Sequence, residues 1–155
     1  QKTAYEIRLS LVGSEMCIRD SNNVTLLMCA VSGPDVHSNA VWVLLEAGAD
    51  VHARTAHGET ALMWAARSGE RGAFSGSRLN AVEQLLSRGA QVNAADEDGE
   101  TPLLGAVAMG YAEIAAALLS AGADPAKANR AGETALARAQ RLGWSDIAAV
   151  IALYP

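Results

Sequence analysis

The phrase Gly99-Glu100-Thr101-Pro102-Leu103 occurs three times in this chain with only small changes. Residues 58–62 read Gly-Glu-Thr-Ala-Leu, and residues 132–136 read the same. A second phrase, Gly-Ala followed by Asp or Gln, begins at residues 48, 89 and 122. From copy to copy, both phrases advance by 41 and then by 33 residues. Recurrence at this spacing is typical of stacked repeats, in which each unit contacts only its neighbours.

Every copy predicts the same helical unit. The threonine after Gly-Glu can cap a helix, because its hydroxyl accepts a hydrogen bond from a free amide of the first turn. Apolar residues follow at helical spacing and glycine ends the helix, so in the second copy we expect a helix from Thr60 to Gly69. A second helix and an extended stretch, residues 92–94, lead to the next phrase. Thr101 and Thr134 open the same arrangement in the third and fourth copies.

An earlier copy begins near Thr25, although Asn23 stands where the later copies have glycine. Asparagine is the next best residue for a positive φ angle. The second copy is longer than the others, because 41 residues separate Thr60 from Thr101 against a period of 33. The surplus falls in the small, polar residues 70–80, which we expect to form a solvent-exposed loop. Insertions in repeat arrays often lie on the binding face.

Helix–turn–helix units of this period, joined by outward hairpins, resemble the ankyrin repeat family. Residues 101–103 match its Thr-Pro-Leu signature, and residues 48–51 match its Gly-Ala-Asp-Val end motif. The resemblance covers residues 21–155 and implies an all-α solenoid of about four helix–turn–helix repeats with protruding β-hairpin loops. It implies repeats at about 21–54, 55–95 with an insertion at 70–80, 96–128, and 129–155 as a C-terminal cap.

One position departs from the family in every copy. The family usually has a histidine after Thr-Pro-Leu, where this chain has Met28, Met63, Leu104 and Ala137. We expect apolar packing to replace the polar contacts that this histidine makes in the family.

Residues 1–20 share no feature with the repeats. The stretch Met16-Cys17-Ile18-Arg19-Asp20 resembles the in-frame translation of a transposon-type sequencing-library adapter, and residues 1–6 resemble the primer joined to it. We therefore interpret residues 1–20 as an artefact rather than native sequence, the alternative being a natural strand or a signal-like segment. On this interpretation Cys29 is the sole cysteine, which fits a reducing cytoplasm and allows no intrachain disulfide.

The two ends of the predicted stack differ in polarity. We expect at least one upstream repeat or cap, because nothing in the predicted stack precedes the apolar residues Leu26, Leu27, Met28 and Trp42. The fourth copy carries Arg138, Gln140 and Arg141 in its first helix. We expect these residues to form the polar outer face that a terminal repeat needs.

Composition excludes several classes of partner. The chain is 50% apolar and 5% aromatic, with a formal charge of −5. Proteins that bind nucleic acid need clustered Lys and Arg, whereas residues 21–155 contain one lysine, Lys127. No apolar run reaches the ~18 residues of a membrane span. We therefore expect neither nucleic acid nor membrane as a partner.

Three groups of residues bear on chemistry. His52 and His57 lack a third metal ligand nearby, and no Gly-Lys-Ser/Thr follows the glycines near residue 70, so no phosphate loop is predicted. An acidic group crowds one turn with no carboxylate opposite, unlike a glycosidase pair: Asp96, Glu97, Asp98 and Glu100. This turn is either simply solvated or steers a basic partner. We expect no catalytic residue, metal or cofactor.

The combined features predict a monomeric, non-enzymatic scaffold that binds another protein through hairpin tips and the concave helix face. The family's contact positions correspond here to Ala56, His57, Glu59, Arg67, Ser68, Glu97, Asp98, Glu100, Ala108, Met109, Arg130, Glu133 and Arg141. Phe74 in the insertion is a further candidate, as an exposed aromatic anchor or as a residue that folds back onto the helices. The main alternative is a regulatory or targeting region of a larger enzyme whose catalytic domain lies upstream.

Overall fold

A computed structural model describes residues 23–32, 38–69 and 76–154 of the chain. Eight helices lie within these ranges: α1 Leu26–Ser32, α2 Ser38–Glu46, α3 Ala61–Arg67, α4 Gly76–Ser87, α5 Pro102–Met109, α6 Ala112–Ser120, α7 Ala135–Leu142 and α8 Ser145–Ala152. They follow one another as four helical hairpins. Among the described residues, no helix has the length and apolar character that crossing a membrane would require.

The helices form two layers. α1, α3, α5 and α7 contact one another in that order, and α2, α4, α6 and α8 do the same in the second layer. Within every hairpin the two helices also contact each other. This arrangement is a repeat stack, since each unit packs on its neighbours along one axis. The predicted all-α repeat fold is confirmed.

Threonine caps begin the first helix of every hairpin, as predicted. The hydroxyl oxygens of Thr60, Thr101 and Thr134 accept hydrogen bonds from the amides three residues later, at 3.2–3.3 Å. Thr25 accepts the same bond from the amide of Met28 at 3.3 Å. Each bond satisfies an amide that has no partner inside the helix, which typically contributes about 1 kcal/mol.

Methionine sulfur takes part in two of the helix caps. The sulfur of Met28 accepts a hydrogen bond from the amide of Thr25 at 3.5 Å, and that of Met63 accepts one from Thr60 at 3.4 Å. Both methionines and Leu104 are buried, so apolar packing is confirmed at these three positions. Ala137 is exposed, and the expectation of packing was wrong there.

The core is built from leucines and small residues. Leu27, Leu62 and Leu103, at equivalent positions of successive copies, are each at most 1% exposed. A row of fully buried alanines lets neighbouring helices approach closely: Ala65, Ala106 and Ala139. Thin helices and small side chains explain how the stack closes with few aromatic residues.

Two sequence expectations about loops were wrong. Residues 91–94 form a turn rather than an extended stretch, because the amide of Ala94 bonds the carbonyl of Gln91 at 3.2 Å. The insertion does not extend to residue 80, because α4 begins at Gly76. Arg78 lies on α4 and is only 2% exposed, with its guanidinium 5.8 Å from the Tyr111 ring. Residues 70–75 of the expected loop lie outside the described residues.

Candidate functional site

Three loops of identical construction precede α3, α5 and α7. In each, the first residue donates its amide to the carbonyl four residues later: Thr55 to Glu59 at 2.9 Å, Asp96 to Glu100 at 3.1 Å, and Asn129 to Glu133 at 3.1 Å. We call residues 55–59, 96–100 and 129–133 the tip loops. The described residues show one isolated β-bridge here, Arg54 to Thr60, so the predicted β-hairpins are not confirmed as paired strands.

The tip loops are joined to one another through backbone hydrogen bonds. The amide of Glu97 donates to the carbonyl of His57 at 3.0 Å, and the amide of Arg130 donates to that of Asp98 at 2.8 Å. Backbone atoms make both bonds, so the bonds do not depend on the side chains of His57, Glu97, Asp98 or Arg130. The three tip loops therefore form one continuous surface, the tip ridge.

Gly99 permits the close approach of two tip loops. Its φ is +76°, and a Cβ added there would lie 2.9 Å from the backbone nitrogen of Arg130. Real side chains essentially never approach backbone so closely, and an L-residue is also strained at this φ. The glycine of the repeated phrase thus serves contact between loops as well as the turn.

Five of the predicted contact residues are exposed on the tip ridge: Ala56, His57, Glu97, Asp98 and Arg130. The side chains of His57 and Glu97 are 68% and 61% exposed, and their nearest polar atoms are 3.5 Å apart. Within the described part of the chain, the side chains of Asp98 and Arg130 take part in no hydrogen bond or ion pair. These five residues are available to a partner.

Glu59 is instead committed to its own hairpin. It accepts hydrogen bonds from the indole of Trp64 at 3.0 Å and the hydroxyl of Thr55 at 3.3 Å, and it pairs with Arg67. Burial opposes ionisation of Glu59, but the indole bond and the charge of Arg67 outweigh it and lower the pKa below 4.5. Glu59 and Arg67 are therefore paired with each other, and their role as contacts for a partner stays a prediction.

Glu100 makes its bonds with the next hairpin. Arg138 donates to its two carboxylate oxygens at 2.5 and 2.6 Å, and Asn129 donates at 2.7 Å. Burial again opposes ionisation, and the bonds from Arg138 and Asn129 outweigh it, so the pKa of Glu100 lies below 4.5. Glu100 therefore links the third and fourth copies, and its role as a contact for a partner stays a prediction.

Arg138 is the centre of this link, contrary to the predicted exposed face. It is 7% exposed, and besides Glu100 it binds Glu133 at 2.8 Å and the carbonyl of Leu104 at 3.1 Å. Glu133 also accepts from Arg141 at 2.7 Å, and that bond is the main cause of its lowered pKa. Glu133 and Arg141 are therefore paired with each other, although the side chain of Arg141 is 62% exposed.

Two of the four carboxylates of the acidic turn are exposed. The side chain of Asp96 accepts bonds from the amides of Asp98 and Glu100, both at 2.9 Å, and so shapes its own loop. Glu100 is paired with Arg138, and Glu97 contacts His57 at 3.5 Å but stays 61% exposed, so Glu97 and Asp98 are the two exposed carboxylates of this tip loop. Among the described residues no group of three or more His, Cys, Asp or Glu side chains is placed to hold a metal ion.

The remaining predicted contacts lie on the first-helix layer or beyond the described residues. Ala108 and Met109 are partly buried at the end of α5. Ser68 is partly buried, and its carbonyl accepts a bond from the Tyr111 hydroxyl at 2.9 Å. Phe74 lies outside the described residues, so its role as an anchor stays a prediction.

Comparison with known protein families agrees with this geometry. A family model described as ankyrin repeats (3 copies) matches residues 3–75 and 71–154. No curated protein matches the chain.

Proposed function

The chain belongs to the ankyrin repeat family, and on that premise we propose that it is a monomeric, non-enzymatic scaffold that binds a partner protein mainly along the tip ridge. Ankyrin repeats typically mediate protein–protein interaction. The partner, the part of the stack that it contacts and its charge are inferences from the described residues. A cytoplasmic setting suits a chain whose sole cysteine is Cys29 if residues 1–20, which contain Cys17, are an artefact.

The availability of side chains is the observation that carries this proposal. On the tip ridge, exposed His57, Glu97, Asp98 and Arg130 point to binding because they contribute little to the fold. The charges nearer the helices are neutralised in pairs within the stack. A partner that used those paired charges would first have to break the pairs, which costs free energy that the tip ridge does not demand.

The charge pattern of the tip ridge favours a basic partner segment. Glu97 and Asp98 form an acidic centre on the middle tip loop, and Arg130 lies on the neighbouring loop. A cationic side chain opposite the centre would gain from charge complementarity, which mainly raises the rate of association. The same surface would serve if the repeats regulated or targeted a catalytic domain elsewhere in a longer polypeptide.

Affinity capture with the immobilised chain, followed by identification of the bound protein, supplies the ligand for the test. We then expect Glu97→Gln with Asp98→Asn to lower the association rate about tenfold at low salt and to flatten its salt dependence. The matched control is Glu83→Gln with Glu113→Gln, which removes the same charge from exposed positions on α4 and α6. Equal effects of the two double variants, or no effect of the first, would refute the tip ridge as the binding surface.

A further inference from the structure

The exposed charged side chains of the tip ridge belong to residues that meet in pairs across neighbouring loops. The amide of Glu97 bonds the carbonyl of His57, and the Nδ1 atom of His57 lies 3.5 Å from a carboxylate oxygen of Glu97. The amide of Arg130 bonds the carbonyl of Asp98 at 2.8 Å. Each exposed carboxylate of the middle tip loop therefore belongs to a residue that is bonded to a basic residue of an adjacent loop.

The formal charge of these four side chains depends on the protonation of His57. Glu97 and Asp98 together carry −2 and Arg130 carries +1, so the four carry −1 while His57 is neutral and 0 once it is protonated. Among these side-chain types, histidine is the one that ordinarily gains or loses its charge between about pH 5 and 8. Protonation of one side chain is thus enough to cancel the net negative charge of this group.

The remaining charged groups at the two loops that meet near His57 are already bonded. Glu59 and Glu100 are each paired with an arginine. Asp96 accepts bonds from two backbone amides, and Arg54 donates to two backbone carbonyls, both at 3.0 Å. Carboxylates and guanidinium groups ordinarily keep their charge between about pH 5.5 and 7.5. These groups therefore contribute a constant background to the charge of the tip ridge.

We propose that His57 makes the tip ridge a pH-sensitive binding surface, on which mild acidification weakens the binding of a basic partner. This inference rests on the proposed function, because the partner must meet Glu97 and Asp98. The protonated imidazole lies beside Glu97 and offsets one of the two carboxylates that attract a cationic side chain. Since charge complementarity acts mainly on association, we expect acidification to lower the association rate more than it raises the dissociation rate.

The change of surface charge is measurable on the chain alone. A small cationic nitroxide and a neutral nitroxide of similar size are added in turn, and NMR measures the relaxation that each causes at the backbone amides of Glu97 and Asp98. We expect the ratio of the cationic to the neutral effect to fall about twofold at low salt when the pH is lowered from about 7.5 to about 5.5. The reason is that a new positive charge a few ångströms away repels the cationic probe.

Two histidine variants assign this change to its source. His57→Gln removes the titrating group of the tip ridge and should abolish the fall in the ratio. His52→Gln is the matched control, because His52 is exposed in the preceding turn, outside the tip ridge, and it should keep the twofold fall. Both variants lose one histidine, so the overall charge of the chain changes equally. A constant ratio in the parent chain, or equal behaviour of the two variants, would overturn the proposal.

The captured partner then tests the consequence for binding. Over the same pH range we expect the association rate of the parent chain to fall about threefold, and that of His57→Gln to fall less. Titration of the partner itself is common to both chains and cancels in this comparison. If Glu97→Gln with Asp98→Asn left association unchanged, the proposed function would be refuted and this inference with it. If that double variant slowed association but His57→Gln kept the pH dependence of the parent chain, only this inference would be overturned.

Discussion

Replacing Arg138 with alanine should weaken the interaction between the third and fourth hairpins and lower the free energy of unfolding. The change removes the bonds to Glu100 at 2.5 and 2.6 Å, to Glu133 at 2.8 Å and to the carbonyl of Leu104 at 3.1 Å. It also leaves two neighbouring carboxylates without the cation between them. Removing one partner of a fully buried ion pair costs about 3–5 kcal/mol. Because the Glu100 side chain is 26% exposed, we expect a smaller loss of about 2–3 kcal/mol.

Urea unfolding followed by circular dichroism measures this loss as a change in the free energy of unfolding. Arg138→Met keeps most of the aliphatic packing and should still be strongly destabilising, because Glu100 loses its cation whereas Glu133 keeps Arg141. Arg141→Ala is the matched control, since this arginine also binds Glu133 but is 62% exposed, and it should change stability little. If Arg138→Ala and Arg141→Ala lowered the free energy of unfolding equally little, the bonds of Arg138 between the hairpins would not stabilise the stack.

Two further predictions concern the same part of the stack. Since the pKa of Glu100 is lowered in the folded protein, its contribution is present above the ordinary value of 4.5 and is lost as pH falls through the folded pKa. The thermal midpoint should therefore be level from neutral pH to about 4.5 and fall below it, and Glu100→Gln should lose less on acidification than the parent chain; an equal loss would contradict this. Gly99→Ala should lower the midpoint more than Gly132→Ala, because both glycines have φ of +76° but only at Gly99 would a Cβ meet the next loop's backbone. Equal shifts in calorimetry would mean that backbone strain alone matters and that contact between tip loops does not.

The repeated phrase was sufficient to predict the fold. Thr60, Thr101 and Thr134 cap their helices as expected, because capping is a local interaction that sequence spacing determines. Asn23 also adopts the predicted positive φ, at 61°. Residues 92–94 were misjudged because a short apolar run next to a turn does not distinguish an extended stretch from a second turn.

Arg138 was misjudged because one of its two carboxylate partners is distant in sequence, although Glu133 is only five residues away. Glu100 lies 38 residues away, so no local pattern reports the pair. One signal was nevertheless present, because Arg138 occupies the position of Trp64 and Gly105, four residues after the capping threonine. Glu100 has no cation in its own hairpin at the place where Glu59 has Arg67, because α5 has Ala108 there. The sequence therefore favoured a cation from another hairpin as the partner of Glu100.

The predicted contact residues fall into two groups, paired and exposed, and the sequence already distinguished them. Every Gly-Glu-Thr phrase has a glutamate at its second position: Glu59, Glu100 and Glu133. Recurrence of one residue type in a repeat favours a structural role over specificity for one partner. The structure gives all three such roles through bonds to Trp64 or to arginines. The variable tip positions, such as His57 and Asp98, are the ones left exposed.

Hydrogen–deuterium exchange of the chain with and without its captured partner tests the central claim most directly. We expect the partner to slow exchange at residues 55–59, 96–100 and 129–133 and to leave the second-helix layer of α4 and α6 unchanged. Slower exchange confined to α4 and α6, with the three tip loops unaffected, would show that binding takes place on another face of the stack.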